Sequence, residues 1–236
     1  MTEPSFADPA QPKKGDCQAV ILLHGLARTK ASMASLEKNL KRQGFAVINM
    51  GYPSRSKPIQ MLSENIIPRA IRLCKKKEAR QIHFVTHSMG GILVRDYLSK
   101  NRIPGLGRVV MLSPPNHGSD VVEKFKDISL FKWFHGPAWQ QLGTAPDSIP
   151  NQLPAPDYEV GVITGDRSVN PILSFITPGK DDGKVSVESA RLEGMKDFLV
   201  VHSAHPFIMN DPIVHDQVCT FLLTGRFKRN RSSGAD

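Results

Sequence analysis

The stretch Gln81-Ile82-His83-Phe84-Val85-Thr86-His87-Ser88-Met89-Gly90-Gly91 decides the fold. Its first half is a short apolar run rich in β-branched and aromatic residues, the pattern of a strand buried on both faces. Its second half turns at Ser88 into small residues and then into Ile92-Leu93-Val94, which predicts a helix over 90–100. A serine between a strand and a helix sits on a tight turn that lifts its hydroxyl above the sheet edge, and a Gly two positions on lets the helix pack close to the strand. The stretch departs from G-x-S-x-G at Thr86, which adds a side chain at a crowded point where the first Gly is expected. The tripeptide S-x-G alone is common by chance; its place between strand and helix makes Ser88 a candidate nucleophile.

On the N-terminal side, Gln18 to Leu23 reads as a strand stopped by Gly25, followed by a helix over 30–42 with Met33, Leu36 and Leu40 at helical spacing and Gly44 just past its end. A strand over 45–50 and a helix over 59–78 come next, the helix carrying Ile59, Leu62, Ile66, Ile67, Ala70, Ile71 and Cys74 on one face. Pro68 inside it predicts a kink or an early break. On the C-terminal side, strands are expected over 108–112, 158–163 and 198–201, and a last helix over 212–223. Such alternation predicts an α/β fold with a mostly parallel central sheet and helices on both faces.

One segment breaks the rhythm. Residues 116–157, about forty in all, form a connection far beyond the usual length, so they should carry helices of their own. This insert holds Trp133, Trp139, Phe125, Phe131 and Phe134, and reads either as a satellite core or as a lid with Trp133 and Phe134 facing substrate. The expected organisation is a flexible tail over 1–17, one domain over 18–224 and a basic tail over 225–236.

With 236 residues, 40% of them apolar, the chain has no apolar stretch near the roughly 18 to 20 residues of a membrane-spanning helix. Met1 to Asp16 lacks the apolar core of a secretory signal, so the mature chain is expected to start near Met1. Cys17, Cys74 and Cys219 are far apart and odd in number, which argues against disulfides and for the cytoplasm. Lys and Arg number 31 against 22 Asp and Glu, but the excess clusters at Lys13 and Lys14, at Lys75, Lys76, Lys77 and Arg80 on a helix end, and at Arg226, Lys228, Arg229 and Arg231. Cations complement a helix C-terminus and tails are usually solvated; no nucleic-acid motif accompanies them, so no nucleic-acid partner is expected, and weak contact with an anionic membrane surface is the remaining role for the charge.

A serine needs a base to take its proton and donors to hold the developing oxyanion. The turn His24-Gly25-Leu26 leaves a strand next to that of Ser88, so the backbone N–H groups of Leu26 and Met89 are the candidate donors. His24 is expected at the substrate-binding edge as a loop-stabilising hydrogen-bond partner, since the base should follow the serine in the order Ser, acid, His. After the last strand, His205 lies in the loop beyond the strand end and is preferred to His202 at its last rung. The acid should follow the fifth strand, where both Asp166 and Asp182 qualify. The remaining histidines, His83, His87, His117, His135 and His215, match no metal-ligand spacing, and no cofactor is required.

His24-Gly25-Leu26, Thr86 to Gly91, Pro115-Asn116-His117-Gly118-Ser119, Asp182-Gly183-Lys184-Val185 and Ser203-Ala204-His205 together resemble the lipase-like serine hydrolases of the α/β-hydrolase fold, in that family's order and over residues 20–224. The resemblance implies Asp182 as the acid, through its D-G-x-V segment, and supports His205 as the base. It implies cleavage of carboxylic esters of lipophilic acyl groups through an acyl-enzyme, with ester or lipid-like small molecules as substrates. An acyltransferase or thioesterase would use the same Ser88, Asp182 and His205, and a non-catalytic binding module is the third alternative, which the departure at Thr86 favours. Some related lipases hold a structural calcium, for which Asp181 and Asp182 are the nearest candidates here.

Overall fold

The computed structural model describes residues 17–169, 177 and 179–229. The apolar runs become strands β1 (Gln18–Leu23), β2 (Ala46–Met50), β3 (Gln81–His87), β4 (Leu106–Leu112), β5 (Val160–Gly165) and β6 (Asp197–Val201). They form one sheet in the order β2-β1-β3-β4-β5-β6, every pair parallel. The helices are α1 (Ala34–Arg42), α2 (Ile59–Lys75), α3 (Met89–Lys100), α4 (Asp120–Phe125), α5 (Ser129–His135), α6 (Pro137–Gln140), α7 (Ile149–Gln152), α8 (Val187–Ala190) and α9 (Pro212–Thr224).

A strand buried on both faces gives alternate residues to two apolar layers. Ala19, Ile21, Leu23, Phe84, Val109 and Met111 pack with α2 and α3 on one side, while Val20, Leu22, Val85, Val110 and Leu112 pack with α1 and α9 on the other. In α2 the face Ile59, Leu62, Ile66, Ile67, Ala70 and Cys74 is buried, and Ile71 is half-buried. Pro68 does not end this helix, which runs to Lys75. Glu64, four residues before it, has a carbonyl to which Pro68 cannot donate and is exposed, so solvent can replace the missing bond. Helix α9 starts where Asp211 accepts the Ile213 N–H at 2.9 Å with Pro212 in the first turn, and stops at left-handed Gly225.

The insert folds as the four short helices α4 to α7. Its buried residues Val121, Val122, Ala138, Trp139 and Leu142 join the main core on the α2–α3 side, so it is not a satellite core. Nor is the start of the C-terminal tail free. Phe227 is buried and stacks on Phe221, and the Phe227 N–H donates to Asp197 on the edge strand β6 at 2.7 Å. Arg229 pairs with the same carboxylate and donates to the Phe198 carbonyl at 2.9 Å, covering an edge that would otherwise be open. Lys13, Lys14 and Arg231 lie outside the described residues. Among the described residues no helix is long and apolar enough to cross a membrane, and Cys17, Cys74 and Cys219 are free thiols.

Candidate active site

The C-terminal ends of parallel strands leave a crevice that side chains from several loops can share. Ser88 stands there, between β3 and α3, with φ 53° and ψ −126°. A non-glycine residue in this region stores about 1–3 kcal/mol of strain, and its surroundings hold it in place: the Ser88 N–H donates to Leu112 of β4 at 2.8 Å. A Cβ on Gly90 would lie 2.7 Å from the Leu23 carbonyl oxygen, so only glycine lets α3 approach β1 this closely. At Gly91 a Cβ would meet Thr86 Oγ1, Met111 and Pro114, each at 3.3 Å. The side chain added at Thr86 is thus accommodated by the missing one at Gly91, which is why the turn keeps its shape without the first glycine.

Asp182 and His205 come together on neighbouring loops. His205 Nδ1 lies 2.8 Å from Asp182 Oδ2, and the His205 backbone N–H donates to the Asp182 carbonyl at 2.9 Å. Both residues are buried. The other carboxylate oxygen, Oδ1, accepts the amides of Lys184 at 3.1 Å and Val185 at 3.0 Å. Burial alone would raise the Asp182 carboxyl, but the charge and hydrogen bond of His205, aided by the Val185 amide, outweigh it and hold the group below the usual carboxylate value. A carboxylate at Nδ1 keeps the proton there and leaves the Nε2 lone pair free. Asp166 goes elsewhere: it meets His202 Nδ1 at 3.0 Å in a solvent-facing pair.

Both Asp182 oxygens therefore accept N–H donors, and Asp181 Oδ1 accepts the Gly183 amide at 2.6 Å. No group of three His, Cys, Asp or Glu able to hold a metal occurs among the described residues.

Above Ser88 lies the turn from Gly25 to Arg28, closed by the Arg28 N–H on the Gly25 carbonyl at 3.3 Å. A Cβ on Gly25 would sit 2.9 Å from His87 Nδ1 and 3.1 Å from Ser88 Cβ, so this turn lies directly on the serine. Ala27 is held at φ 55° with its N–H on Ser54 Oγ at 3.0 Å. Leu26 precedes it in the turn, and Met89 begins α3, whose first N–H groups have no intrahelical partner. His24 is not at the cavity. It is fully buried, stacked on Tyr52 at 4.1 Å, with Nδ1 2.9 Å from the Gly25 carbonyl and Nε2 accepting the Tyr52 N–H at 3.4 Å. With both nitrogens used inside the fold, it supports the turn and reaches no substrate.

Ser88 and His205 open into a cavity of about 270 Å³ whose far wall is apolar: Val121, Val122, Phe125, Phe131, Trp139 and Leu142. The wall comes from the insert, but not from the aromatic residues expected. Trp133 is 81% exposed and Phe134 51%. In α5 the spacing i, i+4 turns Phe131 and His135 inward, where they stack with Trp139, and leaves Leu130, Trp133 and Phe134 outside. Trp133 and Phe134 instead border a shallower outer groove with Tyr52 and Arg55, which shares Ala27 and Arg28 with the cavity at Ser88.

Three cavity residues had no role in the sequence-based expectations. His87, Arg28 and Lys184 all line the cavity. His87 is buried, which together with the charges of His205 and Arg28 pushes its imidazole well below the ordinary value; its neutral Nε2–H donates to the His205 carbonyl at 3.0 Å. Its link to His205 spans a long sequence separation and leaves no local signal.

No protein-family model matches the sequence, and no curated protein matches it. Solved structures do. The lipase BlEst2 of Bacillus licheniformis in its propeptide form superposes with a TM-score of 0.73 at 18% identity, covering 97% of this chain and 54% of that one. The mature form of that lipase gives 0.64 at 17% identity, covering 86% of this chain and 91% of that one. The metagenomic carboxyl esterase MGS0156 gives 0.63 at 18% identity over 87% and 69% of the two chains. The chain thus spans about half the length of the propeptide form. At these identities the likeness is one of fold, and the fold is that of the α/β-hydrolases.

Proposed function

We propose that this chain is a serine hydrolase that cleaves carboxylic esters through an acyl-enzyme. The observation that carries the reading is Ser88 on a strained strand–helix turn, sharing a cavity with His205, whose imidazole is fixed by buried Asp182 at 2.8 Å. In this reading His205 Nε2 takes the Ser88 hydroxyl proton as Oγ attacks the ester carbonyl. Asp182 holds the imidazole in the productive tautomer and stabilises its charged form. The Leu26 and Met89 amides receive the oxyanion. His205 then returns the proton to the leaving alcohol, and water releases the acid by the same steps in reverse roles. The acyl chain lies against Phe125, Phe131 and Trp139.

Labelling with a fluorophosphonate tests the nucleophile. The folded wild type should be labelled and Ser88→Ala should not. A folded wild type that resists the probe would remove the hydrolase reading, and equal labelling of both proteins would move the nucleophile away from Ser88. Product analysis with water competing against an added alcohol or thiol separates hydrolysis from acyl transfer.

A further inference from the structure

The reaction cavity and the outer groove meet at Ala27 and Arg28, and their walls carry an unbalanced charge. Arg28 and Lys184 line the cavity; Arg28 and Arg55 line the groove; no Asp or Glu lines either. Among the described residues none of these three cations forms an ion pair with a carboxylate. Arg28 reaches the Pro206 carbonyl at 3.5 Å, which places its guanidinium beside the His205 loop. Arg55 is held over the Phe134 ring at 5.3 Å and donates to the Phe134 carbonyl at 3.1 Å. Burial disfavours the Lys184 charge most, Arg28 adds repulsion, and the Asp182 carboxylate attracts it.

The nearby Asp182 carboxylate is already committed to His205 and two amides, so cations gathered on the cavity wall favour an anion there. The opposite end of the cavity is buried and apolar, so the polarity of the site is directional: apolar at the insert, cationic toward solvent. An acyl chain suits the first end, which leaves the alcohol half of an ester at the second.

We propose that this site selects esters whose alcohol half carries an anionic group, a phosphate or a carboxylate, received by Arg28 with Lys184 on the cavity side and Arg55 on the groove side. This rests on Ser88 being the acyl-accepting nucleophile and adds the class of alcohol. Arg28 is the cation common to both cavities and carries most of the selectivity.

Two pairs of esters test it, the members of each sharing the acyl group and differing in whether the alcohol half carries an anionic group. One is 4-(hexanoyloxy)benzoate against its methyl ester; the other is hexanoyl glycerol phosphate against monohexanoylglycerol. The readout is the ratio of kcat/KM, anionic over neutral, for the wild type, Arg28→Gln, Lys184→Gln and Arg55→Gln, with fluorophosphonate labelling of every preparation. The wild-type ratio should exceed about tenfold at low salt and shrink as salt screens the pair. It should fall toward one in Arg28→Gln and by less in the other two. A high ratio in both pairs assigns recognition to anionic charge in general, and one confined to the glycerol pair assigns it to a phosphoryl headgroup. A labelled wild type with a ratio near one, or a ratio that survives both Arg28→Gln and Lys184→Gln, overturns the inference while the hydrolase reading stands. Absence of both labelling and turnover overturns the hydrolase reading and the inference with it.

Discussion

At Asp182 the carboxylate is sealed from solvent and commits both oxygens to N–H donors, whereas at Asp166 it meets an imidazole whose side chain is 77% exposed. An ion pair in water contributes little, about 0–1 kcal/mol; a buried, hydrogen-bonded carboxylate that fixes a catalytic imidazole contributes far more to rate. Asp182→Asn should therefore lower kcat on a chromogenic ester by about 10⁴-fold, as loss of the acid does in Ser-His-Asp enzymes, and Asp166→Asn should change it by less than about threefold. The reverse result would transfer the acid to Asp166. The turn that carries Ser88 was legible in the sequence because a strand, a turn and a helix follow one another within a dozen residues. The pairing of Asp182 with His205 was not legible from residue order, because Asp166 and Asp182 both follow β5 and differ in which histidine they meet. His87 and Arg28 were missed for the same reason, since their contacts with the His205 loop are made only when β1, β3 and the chain beyond β6 converge.

Elements were legible where they are long and periodic. The apolar runs of β1 to β5 and helices such as α2 and α3 carry their apolar faces in the sequence, and the structure places those faces inward, whereas edge strand β6 is mostly half-buried with Val200 exposed. Helix α5 has seven residues, too few for periodicity to fix its phase, and its aromatic content drew attention to Trp133 and Phe134 instead of Phe131 and His135. The orientation bears on specificity. Phe131 lines the cavity and stacks on Phe125 at 5.0 Å, so Phe131→Ala lengthens the apolar end. Its optimum across a series of straight-chain p-nitrophenyl esters should move to longer acyl groups, with changes of at most about 200-fold per methylene. Trp133→Ala should leave the acyl profile where it was. If Trp133→Ala shifts the profile and Phe131→Ala does not, the aromatic wall has been assigned to the wrong side of α5.

At the scale of the whole molecule, buried histidines tie stability to pH. His83 is fully buried inside the sheet, accepting the Arg108 N–H on Nδ1 at 2.8 Å with Nε2 3.2 Å from Gln18 Oε1. A proton on Nδ1 would set donor against donor at a side chain closed off from solvent. Burial first, and the charge of Arg108 second, push this imidazole down to about 4. The unfolded chain protonates near the ordinary value of about 6.5, so between these values the unfolded state binds more protons and stability rises with pH. The contribution is fully present above about 6.5 and is lost on acidification toward about 4, by on the order of 3 kcal/mol for His83 alone. His24 and His87 are also held neutral by burial and act in the same direction, and Asp182 adds a loss at lower pH still, as its depressed carboxyl is protonated. Urea midpoints measured from pH 7 to pH 4.5 should fall steadily. His83→Phe, which leaves the Arg108 N–H without its acceptor, should be less stable at pH 7 yet show a shallower fall over that range. An unchanged slope in the variant would mean that His83 is already protonated in the folded sheet, or is never buried neutral, and the packing of β3 against β4 at that position would have to be redrawn.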